Sequence, residues 1–137
     1  MTELTGESVA IVVVTFNRAD LLEQMLLGLA KLEHPADAVI VVDNASTDRT
    51  AEVLTHSTLA GLQVITSAEN LGGAGGFRTG VEAAYDQGFD RIWLMDDDVI
   101  PAPDCLTVLL AQDEDCLMAV REAPAGTSPS TRRCAST

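Results

Sequence analysis

Three consecutive aspartates, Asp96-Asp97-Asp98, form the group of side chains in this sequence with the clearest chemical potential. Adjacent carboxylates repel one another unless solvent or a cation neutralises them, and hard oxygen ligands suit Mg²⁺, Mn²⁺ or Ca²⁺. The triplet follows an apolar run over 91–95, which is typical of a short buried strand. One interpretation is a divalent-metal site. The other is a solvated turn that caps the next helix, with Pro101 and Pro103 just ahead of it.

The elements that must position these acids are predicted from four apolar runs that alternate with helical patterns. The runs lie at 9–15, 38–42, 62–66 and 91–95, and the helical patterns at 19–32, 46–56 and 77–88. Such alternation predicts an α/β fold with right-handed βαβ units and a mostly parallel sheet. The carboxyl ends of the strands then share one rim, which is where ligands bind in open α/β sheets.

The predicted rim carries further candidate site residues besides the acids. They are Thr15, Phe16, Asn17 and Arg18 after the first strand, Asp43 and Asn44 after the second, and Asn70 with its glycines after the third. A carboxylate beside an amide can bind a nucleobase or ribose edge, because the carboxylate accepts and the amide both donates and accepts. The alternative for Asp43 and Asn44 is local capping of the helix at Ser46, and for Asn17 and Arg18 a cap and a surface charge.

The glycine-rich stretch 72–76 is not a nucleotide fingerprint by itself. After Gly73 and Gly75, Arg78 stands where a dinucleotide fingerprint needs Gly or Ala, and no P-loop lysine follows. Consecutive glycines do permit close approach of a ligand, and the helix after them offers free N–H groups to a phosphate. A flexible surface loop is the alternative.

Composition and charge narrow the function classes. The 137 residues contain 8 basic and 21 acidic side chains, a formal charge of -13, which argues against nucleic-acid binding and docking on anionic lipid. An anionic ligand would need a metal or a local cation such as Arg18, Arg78 or Arg91. His34 and His56 fall away from the rim, so no catalytic Ser-His-Asp or Cys-His group is indicated.

The remaining features concern organisation and location. Three cysteines without C-x-x-C spacing suggest neither a disulfide framework nor a zinc site, and no leader or membrane-spanning run is visible, so a cytoplasmic location is expected. Beyond residue 115 the apolar period fades, apart from a weak strand at 116–120. We therefore predict one domain over 1–115 and an irregular tail over 116–137.

Taken in order, the motifs of this chain resemble those of the family 2 glycosyltransferases, whose nucleotide-sugar-binding fold is called GT-A. The resemblance covers residues 9–110 and is carried by three rim segments, 15–18, 42–48 and 96–98. Residues 70–77 with 93–98 look most like the galactofuranosyltransferase branch of mycolic-acid bacteria, with rhamnosyltransferase-like members as near neighbours.

This resemblance implies a role for each rim residue. Thr15, Phe16 and Asn17 would line a uracil pocket, and Asp43 or Asn44 would meet the uracil or ribose edge. Asn70, Gly73 with its neighbouring glycines, and Arg78 would lie along the ribose and diphosphate. Asp96 would face the ribose or share the metal, Asp97 would lie in the nucleotide site, and Asp98 would be the main ligand of Mn²⁺ or Mg²⁺.

The resemblance also implies a reaction, namely transfer of galactofuranose from a UDP-sugar to a cell-wall glycan or lipid-linked glycan acceptor with inversion. The general base and the acceptor pocket belong to a second half of the family fold that this sequence lacks. We therefore expect a truncated or partial protein whose activity as it stands is open. A lipid-linked acceptor would bring it to the inner face of the plasma membrane.

Two other functions stay open at this point. A non-catalytic nucleotide-binding module would keep the sheet without the chemistry. A nicotinamide-dependent oxidoreductase would use an acid about twenty residues after the glycines, but one carboxylate would suffice there and three would be hard to explain.

Overall fold

A computed structural model describes residues 7–111 in full, together with the strand pair 117–118 and 135–136. The elements are β1 (Val9–Thr15), α1 (Ala19–Leu29), β2 (Ala38–Asp43), α2 (Thr50–His56), β3 (Leu62–Thr66), α3 (Gly72–Asp86), β4 (Arg91–Asp96), α4 (Cys105–Leu110), β5 (Leu117–Met118) and β6 (Ala135–Ser136). Strands β1 to β4 form one parallel sheet in the order β3-β2-β1-β4. The prediction of an α/β fold with a mostly parallel sheet is confirmed.

The register of the sheet brings the strand ends to one rim. Thr15 pairs with Asp43, and Asp43 pairs in turn with Thr66. On the other side of β1, Val14 pairs with Asp96. Because all four strands run the same way, the segments that follow them begin side by side, as the sequence predicted.

The core explains why the two central strands are apolar without alternation. One face of the sheet packs on α1 and α2, through Ile11, Val13 and Leu22 among others. The opposite face packs on α3, through Val12 and Ala84 among others. A strand covered on both sides buries every side chain, and each fully buried aliphatic side chain contributes about 1.5–3 kcal/mol of transfer free energy.

Helix α3 begins inside the glycine stretch, at Gly72, whereas the sequence placed a loop there and the helix after it. The cause is close packing on the central strands. A Cβ at Gly76 would lie 2.6 Å from Val14 Cγ1, and one at Gly80 would lie 2.3 Å from Val12 Cγ1. The sequence pattern predicts one apolar face for this helix, formed by Phe77, Val81, Ala84 and Tyr85. Ala84 is buried and Phe77 packs against the core, but Tyr85 is 76% exposed.

Helix α1 ends at Leu29, three residues before the predicted end. The weak strand expected at 116–120 corresponds to β5, which pairs antiparallel with β6. The remainder of the predicted tail lies outside the described residues.

Cys105, at the start of α4, is disulfide-bonded, a bond that the cysteine spacing did not suggest. Within 7–111, none of the helices combines the length and apolar character needed to cross a bilayer.

Candidate functional site

A cleft of about 430 Å³ opens at the carboxyl rim of the sheet, between β1, β4 and the start of α3. It is lined by Val14, Thr15, Phe16, Arg18, Asn44, Asn70, Gly72, Gly73, Phe77, Asp96, Asp97 and Asp98. The lining therefore includes an acidic wall, formed by the three aspartates at 96–98, and a glycine wall, formed by the turn at 72–73. This is the juxtaposition that parallel strand ends were expected to produce.

Asp97 differs from its two neighbours because it is buried and already has partners. Its residue exposure is 5%, and Thr15 Oγ1 donates a hydrogen bond of 2.9 Å to its Oδ2. Arg18 Nη1 lies 3.4 Å from its Oδ1. Burial raises the pKa of Asp97, and the bonds from Thr15 and Arg18 oppose that rise. Asp97 thus joins the end of β1 to the acidic wall.

Asp96 and Asp98 are exposed to the cleft and supply the oxygen donors that a hard divalent cation prefers. Among the described residues, no group of three His, Cys, Asp or Glu side chains is gathered as a complete metal site. Two exposed carboxylates fit a Mg²⁺ or Mn²⁺ ion that takes its other ligands from water and from a substrate's phosphates, as Mg²⁺ commonly does. The donor set therefore fits the predicted cation, for which Asp96 and Asp98 would be the protein ligands.

Arg18 is the basic side chain among the described residues that line the cleft. Besides its contact with Asp97, its Nη1 lies 3.9 Å from Asp98 Oδ2, and about half of the side chain is exposed. Arg78 instead pairs with Glu82 at 3.3 Å on the outer surface of α3. Arg91 pairs with Glu7 at the opposite end of the sheet. Of the three cations considered from the sequence, Arg18 alone faces the cleft.

The glycine wall is the turn that opens α3. Gly72 has a φ of +75°, a conformation that favours glycine, and its N–H donates to Asn70 Oδ1 at 2.8 Å. A Cβ placed on Gly73 would meet no atom within 4 Å. The next N–H groups of the first turn have no intrahelical acceptor, so this wall presents donors and the positive end of the helix dipole to the cleft.

Asn44 connects the end of β2 to this turn. It is 2% exposed, and its backbone N–H donates to the carbonyl of Thr15 at 2.9 Å. Its Nδ2 donates to the carbonyl of Gly72 at 2.9 Å, and its Oδ1 accepts from the N–H of Leu71 at 3.4 Å. Both polar ends of the amide are therefore directed at the backbone of the glycine wall.

The loops after β1 and β2 hold each other, and we call this arrangement the crossed caps. Asn17 Oδ1 accepts from the N–H groups of Thr47 and Asp48, at 2.7 and 3.2 Å, just before α2. In the reverse direction, Asp48 Oδ2 accepts from the N–H of Ala19, the first residue of α1, at 3.1 Å. Asn17 was expected to cap α1, the helix that follows it, and Ser46 or Thr47 to cap α2. Instead, Asp48 accepts from the first N–H of both helices, at Ala19 and Thr50, while Asn17 accepts from the second loop.

Two predicted site residues that do not line the cleft have their side chains bonded within these loops. Asn17 has a φ of 51°, and its side chain is turned to the second loop. Asp43 is 3% exposed, and its Oδ1 accepts from the N–H of Ser46 at 3.0 Å. Asp48 has a pKa below its usual range, chiefly because the Thr50 hydroxyl donates to it.

The structure thus brings most of the predicted residues together. Those that line the cleft are Thr15, Phe16, Asn44, Asn70, Gly73, Asp96, Asp97 and Asp98; those that do not are Asn17, Asp43 and Arg78. Phe77, which packs partly buried against the core, also lines the cleft beside Gly73, a position that the sequence pattern was not used to predict. The signal was present, because residues four apart share one face of a helix and α3 includes Gly73.

Comparison with known proteins supports one family. The sequence profile of the family described as Glycosyl transferase family 2 matches residues 10–126. The galactofuranosyltransferase GlfT1 of Mycolicibacterium smegmatis is 41% identical over 96 residues, which cover 70% of this chain and 32% of the relative. GlfT1 of Mycobacterium tuberculosis is 43% identical over 96 residues, covering 67% and 31%. The chain therefore spans about a third of the length of these relatives.

Solved structures agree with the sequence comparison. The mannosyltransferase PcManGT of Pyrobaculum calidifontis, in complex with GDP-Man and Mn²⁺, superposes with a TM-score of 0.66 at 31% identity, covering 77% of this chain and 32% of that one. Residues 1–349 of Staphylococcus aureus TarS, in complex with UDP-GlcNAc, superpose with a TM-score of 0.63 at 27% identity, covering 76% and 30%. The match of the family profile to most of the chain, on a fold that these enzymes share, shows that the chain belongs to glycosyl transferase family 2.

Proposed function

We propose that this chain is the donor-binding part of a galactofuranosyltransferase, which takes galactofuranose from UDP-galactofuranose and adds it to a growing cell-wall glycan. Two observations support the sugar: the 41–43% identity to the galactofuranosyltransferase GlfT1, and the resemblance of residues 70–77 and 93–98 to that branch. The acceptor class is proposed from that resemblance alone. The single observation that carries donor binding is the cleft itself, where an acidic wall faces a glycine wall across the strand ends.

The end of β1 and the glycine wall suit the two ends of a nucleoside diphosphate, the base and the phosphates. Thr15 and Phe16 line the cleft at the end of β1, and an aromatic ring there can stack on a base. The ribose and diphosphate would run along Asn70 and Gly73, where the first-turn N–H groups of α3 suit phosphate oxygens. Phe77 joins this lining from the next turn of the same helix.

The cation would be held by Asp96 and Asp98 and by the donor's phosphates. When bound, it stabilises the negative charge that develops on the departing diphosphate. Arg18 contributes a second positive charge to the same end of the cleft, and Asp97 holds that guanidinium in place. Together these charges offset the repulsion that a formal charge of -13 would exert on an anionic donor.

The transfer step also needs groups on the acceptor side. The acceptor hydroxyl oxygen forms a bond to the anomeric carbon as the bond from that carbon to the UDP oxygen breaks, so the configuration inverts. The hydroxyl proton passes to a general base, commonly a carboxylate. In the described part of the chain, the carboxylates of the cleft are assigned to the cation or to Arg18. We propose that the base lies in the portion of the longer relatives that this chain does not match.

Donor binding is tested by titrating UDP with and without Mn²⁺ and following heat release. We expect metal-dependent binding, and a loss of roughly 10- to 100-fold in Asp98→Asn, because a hydrogen bond or ligand contact to a charged group contributes about 1.5–3 kcal/mol. The matched control is Asp86→Asn, an exposed carboxylate at the end of α3, which should bind like the unaltered chain. Equal affinity with and without metal, or unchanged affinity in Asp98→Asn, would contradict the proposal.

A nucleotide-binding module without transfer is the second candidate. It is favoured because, in the described part of the chain, each carboxylate of the cleft is assigned to the cation or to Arg18 and none is assigned as the general base. Incubation of UDP-galactofuranose and a galactan oligosaccharide with this chain, and with a version extended to the relatives' length, separates the two. Product in the extended protein supports the transferase. Binding without product in both supports the module. The nicotinamide-dependent alternative has no support from the family match.

A further inference from the structure

Asn44 was expected from family resemblance to read the uracil or ribose edge, but its contacts indicate another task. The amide is 2% exposed and lies beneath the first turns of α3, so that a Cβ on Gly76 would be 3.1 Å from its Nδ2. Its donor and its acceptor both point to the backbone at Leu71 and Gly72. These are opposite requirements, a carbonyl to accept and an N–H to donate, and the separate NH₂ and oxygen of the Asn44 amide meet both at once.

The segment that Asn44 holds has few other supports. Gly72 stands at a φ of +75°, and a Cβ on Gly73 would meet open space. Glycine-rich backbone loses more conformational freedom on folding than any other, so it needs fixed points to keep one shape. Asn70 Oδ1 supplies one of them, from within the loop. Asn44 supplies the other from the sheet, because its own N–H is bonded to the end of β1.

We propose that Asn44 is a positioning residue, which fixes the glycine wall at the distance from Asp96 and Asp98 that a diphosphate requires. The proposal rests on the proposed function, since it concerns the donor of that same cleft. Asn44 would then act on the phosphates through Leu71 and Gly72 and make no contact with the base. Removal of the Asn44 amide should therefore weaken the binding of ligands that carry a diphosphate and leave the binding of the nucleoside nearly unchanged.

The test compares UDP with uridine, each titrated in the presence of Mg²⁺ into the full chain and into Asn44→Ala. We expect the substitution to weaken UDP by about 5- to 10-fold, the equivalent of one or two lost neutral hydrogen bonds, and uridine by less than about 2-fold. The control is Gln63→Ala, which removes an amide that pairs with Gln87 on the outer surface. It should leave both affinities unchanged.

Equal losses for uridine and UDP would overturn the proposal, because they would show that Asn44 reads the nucleoside directly. An unchanged UDP affinity would overturn it too. Failure of the unaltered chain to bind UDP would instead refute the proposed function and the inference with it.

A second measurement does not depend on the folding of Asn44→Ala. In the ¹⁵N-labelled unaltered chain, uridine should leave the side-chain NH₂ signals of Asn44 in place. UDP with Mg²⁺ should shift the backbone N–H signal of Gly73. A shift of the Asn44 side-chain signals by uridine, or the absence of any Gly73 shift on adding UDP, would count against the positioning role.

Discussion

Replacing Gly73 by alanine is expected to stabilise the fold and weaken nucleotide binding at the same time. Glycine within a helix is less favourable than alanine by roughly 0.5–1 kcal/mol, and a Cβ at Gly73 meets no atom within 4 Å. We therefore expect the free energy of unfolding to rise by about 0.5 kcal/mol. The same methyl group stands on the cleft wall and would keep a phosphate from the first-turn N–H groups, so UDP affinity should fall roughly 10-fold.

Gly80 provides the matched comparison within the same helix. An alanine there gains the same helix propensity, but its Cβ would lie 2.3 Å from Val12 Cγ1 and 3.2 Å from Val42 Cγ2. Overpacking of this kind costs about 1–3 kcal/mol, so Gly80→Ala should lose about 1–2 kcal/mol in total.

Urea unfolding followed by circular dichroism measures the two stabilities, and calorimetric titration with Mn²⁺ and UDP measures the affinity. A loss of stability in Gly73→Ala, or unchanged stability in Gly80→Ala, would refute the packing of α3 described above. A Gly73→Ala chain that binds UDP as before would refute the close approach of the phosphate.

Three further substitutions test other parts of the site. Asp48→Asn should lower the unfolding free energy by about 1 kcal/mol at neutral pH. Because the pKa of Asp48 is lower in the folded chain than in the unfolded one, the stabilisation from its carboxylate is present above the ordinary aspartate pKa and is lost as the pH falls through the lowered folded value. The difference between Asp48→Asn and the unaltered chain, measured by urea unfolding from neutral pH into the acid range, should therefore shrink, and a constant difference would contradict the argument. Thr15→Val removes the hydroxyl that donates to buried Asp97, so the pKa of Asp97 should rise further. The free energy of unfolding at neutral pH should fall by about 1–3 kcal/mol. NMR titration of the Asp97 carboxyl carbon measures the pKa, and an unshifted value would disprove the role of this hydrogen bond. Phe16→Ala should weaken UDP and uridine equally, by about 1–3 kcal/mol if the ring stacks on the base, and a loss confined to UDP would argue against stacking.

The sheet and the position of the cleft were predictable because both follow from simple rules. A continuous apolar run such as Val9–Thr15 is typical of a strand in a parallel sheet that helices cover on both faces. Once the strands are parallel, the residues that follow Thr15 and Met95 must meet at one rim. The convergence of Asp96, Asp97 and Asp98 with Thr15 therefore needed no knowledge of packing.

The start of α3 and the exchange of caps were not predictable from local pattern. Glycines disfavour a helix by propensity, and only the close approach to Val12 and Val14 makes their lack of a side chain an advantage. Capping was assigned to the nearest helix in sequence, whereas Asn17 accepts from N–H groups of the second loop, and Asp48 accepts from the N–H of Ala19 at the start of α1 as well as from that of Thr50.

The exact start of a helix also decides which side chains face a ligand. Because α3 begins at Gly72, Phe77 lies one turn after Gly73 and lines the cleft, while Arg78 is turned to the outer surface and pairs with Glu82. The family resemblance includes both residues, and the structure shows that one faces the cleft and the other faces outward.

Because of the crossed caps, the loops after β1 and β2 depend on each other, and a change of length in one disturbs the other. An insertion after Asn17 would release the backbone before α2, and a deletion around Asp48 would release the start of α1. The proposed contact of Phe16 with a base depends on its neighbour Asn17, and so on a segment some thirty positions away. A designer who wishes to change the nucleotide that this scaffold accepts should transplant both loops together, and related sequences should show correlated lengths in the two.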